Sequence, residues 1–269
     1  LPTAGSVAGG TSLTLEGDGF TTRRRDLDVT VGGRNCRVLS TNATHVVCIT
    51  PTASRISEDS SAALMLNVRG VEANCAAPSC DYAYSRARTP VLTDATVTSE
   101  GASEWSITLR GVFGDGTIAF PQESAQILVG GTTACVPVGS ASASELACVS
   151  PPPHAGDQVI TIHSDWGAAL GAPSIVGAPL AVTSFAPSLT TLAGGTTLTI
   201  AGSGFSQSET AVRVCGEVCE VTSATSATSI TCVAPSSLLH ASGRQTLTLT
   251  DVRGRVHGPP SPPATPPPP

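Results

Sequence analysis

Lysine is absent from this chain, and so is any long apolar run; aromatic residues make up 3% of the composition and methionine occurs once. Each absence removes something. No stretch approaches the roughly 18 apolar residues that a membrane-spanning helix needs, so no membrane insertion is expected within this sequence. With so few aromatics, Val, Leu, Ile and Ala must build the core, which is expected to be thin. All fourteen basic residues are arginine, a bias we read as coding composition, and twenty carboxylates outnumber them for a net charge of −6. A phosphate backbone calls for a concentrated positive face, so no nucleic acid partner is expected. The chain opens on Leu1 with no signal peptide, and so reads as a mature or excised portion of a longer secreted or surface protein.

Catalytic patterns are missing too. His45, His154, His163, His240 and His257 are scattered, with no ligand spacing between any two. His163-Ser164-Asp165 has the composition of a catalytic triad. Contiguous residues on or beside one strand cannot converge on one another, however. There is no Gly-x-Ser-x-Gly elbow and no phosphate loop. Glu16, Asp18 and Asp115 lack the spacing of a calcium loop. No enzyme activity, cofactor or metal is expected.

What the chain does have is a repeat built on cysteine. Val31–Pro51 reads V-G-G-R-N-C, a short Ser/Thr-containing segment, then V-V-C-I-T-P. It returns at Val129–Pro151 as V-G-G-T-T-A-C … L-A-C-V-S-P and at Val214–Pro235 as V-C-G-E-V-C … I-T-C-V-A-P. In each copy two cysteines stand 12 or 13 residues apart and a proline follows the second by three. Self-similarity at a fixed period means related modules in series. We place their bounds at residues 1–88, 89–179 and 180–258, with a separate tail at 259–269. Units of about 80 to 90 residues bury limited apolar surface and often need covalent help. Nine cysteines at recurring spacing then read as staples, which implies an oxidising compartment. The expected disulfides are Cys36–Cys48, Cys135–Cys148 and Cys219–Cys232, with Cys75–Cys80 as a fourth. A zinc site lacks a second short-spaced Cys or His pair.

Ahead of two cysteine pairs lies a second repeated element. Gly9–Phe20 reads G-G-T-S-L-T-L-E-G-D-G-F and Gly194–Phe205 reads G-G-T-T-L-T-I-A-G-S-G-F. Leu13/Leu15 and Leu198/Ile200 alternate with Thr and Ser, the period of a strand with one buried face. Phe20 and Phe205 are expected to fold back over their cores. The middle copy keeps a strand at Trp105–Gly111 but replaces the glycine step with Val112-Phe113-Gly114, and an insertion follows from Asp115 to Ser124. No segment carries a useful helical period, so the class is all-β, with about seven short strands per module.

The order G-G-T-x-L-T-φ-x-G-x-G-F, then V-x-V-G-G-x-x-C, then C-x-x-P resembles the IPT/TIG modules of plexins, fibrocystin-like receptors and Rel-type transcription factors. The third copy matches best, including its lead-in Val182–Pro187. The first lacks that lead-in strand, and the second matches mainly in its cysteine half. The resemblance implies three tandem Ig-like β-sandwiches. It leaves function open, because the family serves adhesion, receptor stalks, enzyme spacers and DNA binding alike.

The tail is a different object. Pro259, Pro260, Ser261, Pro262, Pro263, Ala264, Thr265 and Pro266 to Pro269 cannot sustain backbone hydrogen bonding and favour a polyproline II helix. The run resembles the Ser-Pro-Pro rods of volvocine algal hydroxyproline-rich glycoproteins. That implies hydroxyproline or O-glycan at Pro259, Pro260, Ser261, Pro262, Pro263, Pro266, Pro267, Pro268 and Pro269; a stiff linker is the other reading. Asn42-Ala43-Thr44 is the sole N-x-S/T sequon and falls in the loop of the first cysteine hairpin, an expected N-glycosylation site. Cys215 takes the place of Gly32 and Gly130 in the other copies. It is left as an intermolecular bridge or an unpaired thiol, with competition against Cys219 for Cys232 also open. Arg23-Arg24-Arg25 could grip an acidic glycan, but Asp26 and Asp28 follow at once, so a solvated, largely neutralised loop is expected.

Together these features lead to a non-catalytic extracellular glycoprotein portion, a rod of Ig-like modules in a cell-surface, ciliary or cell-wall assembly. Its partners are other chains of that assembly and, as a further option, glycans. The alternative is the ligand-binding ectodomain of a plexin- or fibrocystin-like receptor. An accessory domain of a polysaccharide-degrading enzyme is a third.

Overall fold

The computed structural model describes residues 2–76, 79–101, 103–114, 119–189, 191, 193–206, 210–214, 216–236, 247–250 and 256–257. They fall into two compact units. The first holds the described residues up to Ser99 together with Ser106–Ser150 and Val159–Ser174. The second holds Glu100–Trp105, Pro151–Gln158 and the described residues from Ile175 onward. Secondary structure is almost wholly β, arranged as three repeated Ig-like sheet systems.

The first copy contributes β1 (Ala4–Ser6), β2 (Ser12–Glu16), β3 (Leu27–Val31), β4 (Arg34–Asn35), β5 (Arg37–Thr41), β6 (His45–Ile49), β7 (Ser60–Val68), β8 (Val71–Glu72) and β9 (Asp81–Ser85). One sheet runs β1-β9-β7-β3-β4, with β8 beside β7; the other runs β2-β6-β5. Alternation decides what each strand buries: Val29 and Val31 from β3, Val46 and Cys48 from β6, Tyr82 and Tyr84 from β9. They meet Val7, Leu13 and Leu66 in one core. Val31 pairs with Arg34 across Gly32 and Gly33, whose φ of 58° and 75° fit the two-residue turn that matches strand twist. Among the described residues only β6 pairs with β2, so the antiparallel lead-in strand is missing here as expected; the chain enters instead through β1, which is three residues long and runs parallel to β9, with Ala4 opposite Ala83.

The middle copy contributes β10 (Val91–Glu100), β11 (Trp105–Val112), β12 (Gln126–Val129), β13 (Thr133–Val138), β14 (Glu145–Ser150), β15 (Asp157–Ser164), β16 (Gly167–Ala168) and β17 (Ser174–Val176). The order is β10-β11-β14-β13-β12-β15-β16, with β17 beside β15. Phe120, from the insertion, is buried and meets Phe113 at 5.5 Å and Trp166 at 5.9 Å between ring centroids. The insertion thus feeds the core, and Phe113 does the work of Phe20 and Phe205.

The third copy contributes β18 (Ala181–Ala186), β19 (Thr197–Ser203), β20 (Ala211–Val214), β21 (Glu217–Ser226), β22 (Ser229–Val233), β23 (Leu247–Thr250) and β24 (Val256–His257), in the order β18-β19-β22-β21-β20-β23-β24. Its core gathers Leu180, Val182, Leu198, Ile200, Phe205, Val212, Ile230 and Leu249. Fully burying an aliphatic side chain contributes roughly 1.5–3 kcal/mol, so each core is assembled from many modest terms, as the scarcity of aromatics requires.

Candidate functional site

The cysteine repeat sits where the chain changes sheets. In the middle copy Ile127 pairs with Cys135, and from Val136 onward β13 pairs with β14 instead. In the third, Val212 pairs with Cys219, and from Glu220 onward β21 pairs with β22. In the first copy the crossing strand is broken in two: β4 ends at Asn35, β5 starts at Arg37, and the Cys36 amide donates to the Val29 carbonyl at 2.7 Å. Disulfides join Cys36 to Cys48, Cys135 to Cys148 and Cys219 to Cys232, with Cα separations of 5.6, 5.4 and 5.5 Å. All six cysteines are buried. A fourth disulfide joins Cys75 to Cys80 near the surface, where the Cys80 carbonyl accepts the Leu64 amide. Cys215 and the tail, including Pro259, Pro260, Ser261, Pro262, Pro263, Pro266, Pro267, Pro268 and Pro269, lie outside the described residues.

Asn42 opens the turn between β5 and β6 and is exposed. Its carboxamide oxygen accepts from the Thr44 amide at 2.9 Å, the His45 amide at 2.7 Å and the Thr44 hydroxyl at 3.2 Å. The same turn recurs at Ser142, whose hydroxyl accepts from the Ser144 and Glu145 amides, and Ser226 accepts from Thr228 in kind. Each turn then receives the glycine element of its own copy. The Gly17 and Phe20 amides donate to the Thr44 and Ala43 carbonyls, Gly111 and Phe113 to Ser144 and Ala143, Gly202 and Phe205 to Thr228 and Ala227. The three loops are one structure carrying a sequon in the first copy only.

A further set of residues was invisible in the sequence. Within the first unit, the β15–β16 hairpin locks onto the lead-in of the first copy. The Trp166 carbonyl accepts from the Ser6 amide at 2.6 Å and the Thr11 hydroxyl at 2.7 Å. The Ala168 amide donates to the Gly9 carbonyl at 2.8 Å, and the Ser6 hydroxyl to the Ala168 carbonyl at 2.7 Å. Gly167 has a φ of 115°, and a Cβ there would lie 2.3 Å from the Gly9 carbonyl oxygen. Ser6 and Thr11 are fully buried, so each bond removes a desolvation cost that water cannot meet. No motif marks these residues; they share only the partners that folding gives them.

Two titratable groups in this region are displaced. Burial raises the Tyr82 pKa, and the nearby Thr11 and Thr50 hydroxyls and Arg88 offset this in part. Those hydroxyls lie close without reaching hydrogen-bonding geometry, for the buried Tyr82 oxygen has no partner among the described residues. Tyr84 donates to the Pro51 carbonyl at 2.8 Å, and burial pushes its pKa up to about 12. Of the expected non-sites, His163 and Ser164 end β15 and Asp165 follows in the turn. Among the described residues no three His, Cys, Asp or Glu side chains cluster to hold a metal, and no helix is long and apolar enough to cross a membrane.

Comparison with known proteins agrees with this architecture. The IPT/TIG domain family matches residues 1–84 and 180–262. Human fibrocystin-L is 31% identical over 224 residues, covering 83% of this chain and 5% of its own length. Its mouse counterpart is 30% identical over 224 residues, covering 82% of this chain and 5% of its own length. The chain therefore spans a small fraction of the curated relatives it matches. Among solved structures, the full extracellular region of plexin A4 aligns with 93% of this chain and 22% of its own, at 19% identity and a TM-score of 0.38.

Proposed function

The chain belongs to the IPT/TIG domain family, and from that premise we propose that it is a non-catalytic spacer of an extracellular, glycosylated surface assembly. Its modules, at residues 1–88, 89–179 and 180–258, stack into a rod that presents or holds other chains. The observation that carries this reading is the lock between the first two copies. Four hydrogen bonds between Trp166 and Ala168 on one side and buried Ser6, Gly9 and Thr11 on the other leave that junction little freedom, as a mechanical spacer requires. Paired cysteines support an oxidising, extracellular or cell-surface setting. In this reading Asn42 carries N-glycan, the tail from Pro259 is a hydroxyproline-rich rod of the volvocine algal kind on a cilium or cell wall, and Cys215 bridges to a neighbouring chain. The ectodomain of a fibrocystin-like receptor is the second reading, favoured by the identity to fibrocystin-L across 83% of the chain.

The test is surface labelling of intact cells with an antibody to the chain, followed by non-reducing peptide mapping of the released protein. Surface staining, intramodule disulfides and glycan mass on the Asn42 peptide are expected. A cytosolic pool with free thiols would refute the proposal, and a tail of unmodified proline would remove its algal part.

A further inference from the structure

Adjacency in sequence makes Arg23-Arg24-Arg25 look neutralised by Asp26 and Asp28, but in the fold Asp26 pairs most closely with Arg69, and Asp28 pairs with no arginine among the described residues. Asp26 accepts from Arg69 Nε at 3.0 Å, and its carbonyl accepts the Arg69 amide at 2.9 Å. Together they hold Arg69 at a φ of 52°, which a residue with a Cβ seldom adopts. Arg25 reaches the same carboxylate only at 3.9 Å. Asp28 stands on β3 between Leu27 and Val29, so strand alternation sends its side chain to the opposite face from theirs. There it lines a depression with Asp26 and Arg69, at whose rim Arg25 and Leu27 are shared with the other face.

The Leu27/Val29 face is therefore left positive. Because Cys36 turns the chain from β3 toward β6, β5 diverges from β3 and leaves a groove of about 290 Å³ between them. Arg24, Arg25, Arg37 and Asn35 line it over a floor of Leu27 and Val29. Arg24 and Arg37 are exposed, and neither has an ion-pair partner among the described residues. Nine of the fourteen arginines fall within residues 1–88, whereas residues 89–179 carry eight carboxylates and one arginine. Residues 1–88 also carry eight carboxylates, so the positive charge is a local property of the groove and not of the whole copy.

We propose that this groove is a binding site for an anionic saccharide, whose sulfate or carboxylate groups seat on Arg24, Arg25 and Arg37. Planar guanidinium forks take such oxyanions in paired hydrogen bonds. None of the groove's lining residues is aromatic, so a neutral sugar finds no ring to stack on, and charge must supply the recognition. The volume is near the lower bound of small-ligand pockets, about 300 Å³, which suits a short saccharide unit and not a long polymer footprint. A nucleic acid strand needs many phosphate contacts in a row, which one groove on a chain of net charge −6 does not offer. The site depends on the extracellular reading only in that such saccharides are found outside cells.

The test is titration of the full chain with a size-defined heparin oligosaccharide, a polyuronate oligomer, the desulfated and neutral counterparts, and a single-stranded oligonucleotide. Saturable binding to one or both anionic saccharides is expected, weakening with salt because these charges are exposed. Arg24→Ser and Arg37→Ser should each weaken it about tenfold. Arg110→Ser, which removes an exposed pair with Glu145 on the middle copy, should leave it unchanged. No saturable binding, equal loss from all three variants, or equal binding of the oligonucleotide would each overturn the proposal. Surface labelling and peptide mapping do not depend on this groove, so the two readings fail separately.

Discussion

Alkaline titration offers a direct test of how the first copy is held together, because both tyrosines of the chain, Tyr82 and Tyr84, lie on β9. Their rings meet edge to face at 5.0 Å in the core. Burial favours the neutral phenol, so both pKa values rise, that of Tyr84 to about 12, with Tyr82 adding to the rise and Arg34 opposing it. The sign follows from linkage. An unfolded tyrosine ionises near pH 10, so the native preference for the neutral ring is fully present below that and is lost as pH rises through about 12. At about 1.4 kcal/mol per pKa unit, Tyr84 alone forfeits roughly 2–3 kcal/mol over that window. Tyr82 adds a loss of the same sign. Against a stability of about 5–15 kcal/mol for a small domain, that is a large fraction. Tyrosinate absorbance recorded with near-ultraviolet circular dichroism should therefore show ionisation delayed, steep and coincident with loss of tertiary signal. Tyr84→Phe keeps the ring but removes the ionisation and the bond to the Pro51 carbonyl. It should cost about 1 kcal/mol at neutral pH and move the alkaline transition upward. Two tyrosines ionising near pH 10 while the tertiary signal persists would show that the packing argument is wrong.

Two other perturbations bear on different parts of the chain. Gly167→Ala introduces a Cβ 2.3 Å from the Gly9 carbonyl at a φ of 115°, so hydrogen exchange at the Ser6 and Ala168 amides should accelerate while the middle copy keeps its fold; unchanged protection would remove the lock. Replacing Cys135 and Cys148 by alanine opens a loop of 13 residues and should lower stability by about 3 kcal/mol, read as an earlier melting transition.

How much of this was legible in the sequence depended on the distance over which each feature is decided. Strand and turn chemistry was local: Leu13 and Leu15 alternate with Ser and Thr, and Val31-Gly32-Gly33-Arg34 closes a hairpin. The middle copy hid its likeness because Gly111-Val112-Phe113 is one residue shorter than Gly17–Phe20. Yet its two amides reach the Ala143 and Ser144 carbonyls just as Gly17 and Phe20 reach Ala43 and Thr44. Backbone bonding persists where letter spacing fails. Two features are decided over long separations and left no local trace. The Thr11 hydroxyl finds the Trp166 carbonyl 155 residues away. Asp26 finds Arg69 across 43, which defeats the charge count made from its immediate neighbours.

The cysteine repeat lies between these extremes, and its logic explains why it survives in copies that differ around it. A strand that pairs first with one sheet and then with the other has one residue at the change, and that residue lies between the two hydrogen-bonded halves. Cys135 and Cys219 hold that place, each the last residue paired with β12 or β20. In the first copy the crossing strand is interrupted at Cys36, so strand continuity is not what the repeat preserves. What recurs is the partner: Cys48, Cys148 and Cys232 sit on the neighbouring strand of the second sheet, opposite Val38, Pro137 and Val221. Joining the pair ties the two sheets where a single strand passes from one to the other, across a thin aliphatic core. The position is legible because crossing and return stand 12 or 13 residues apart in every copy.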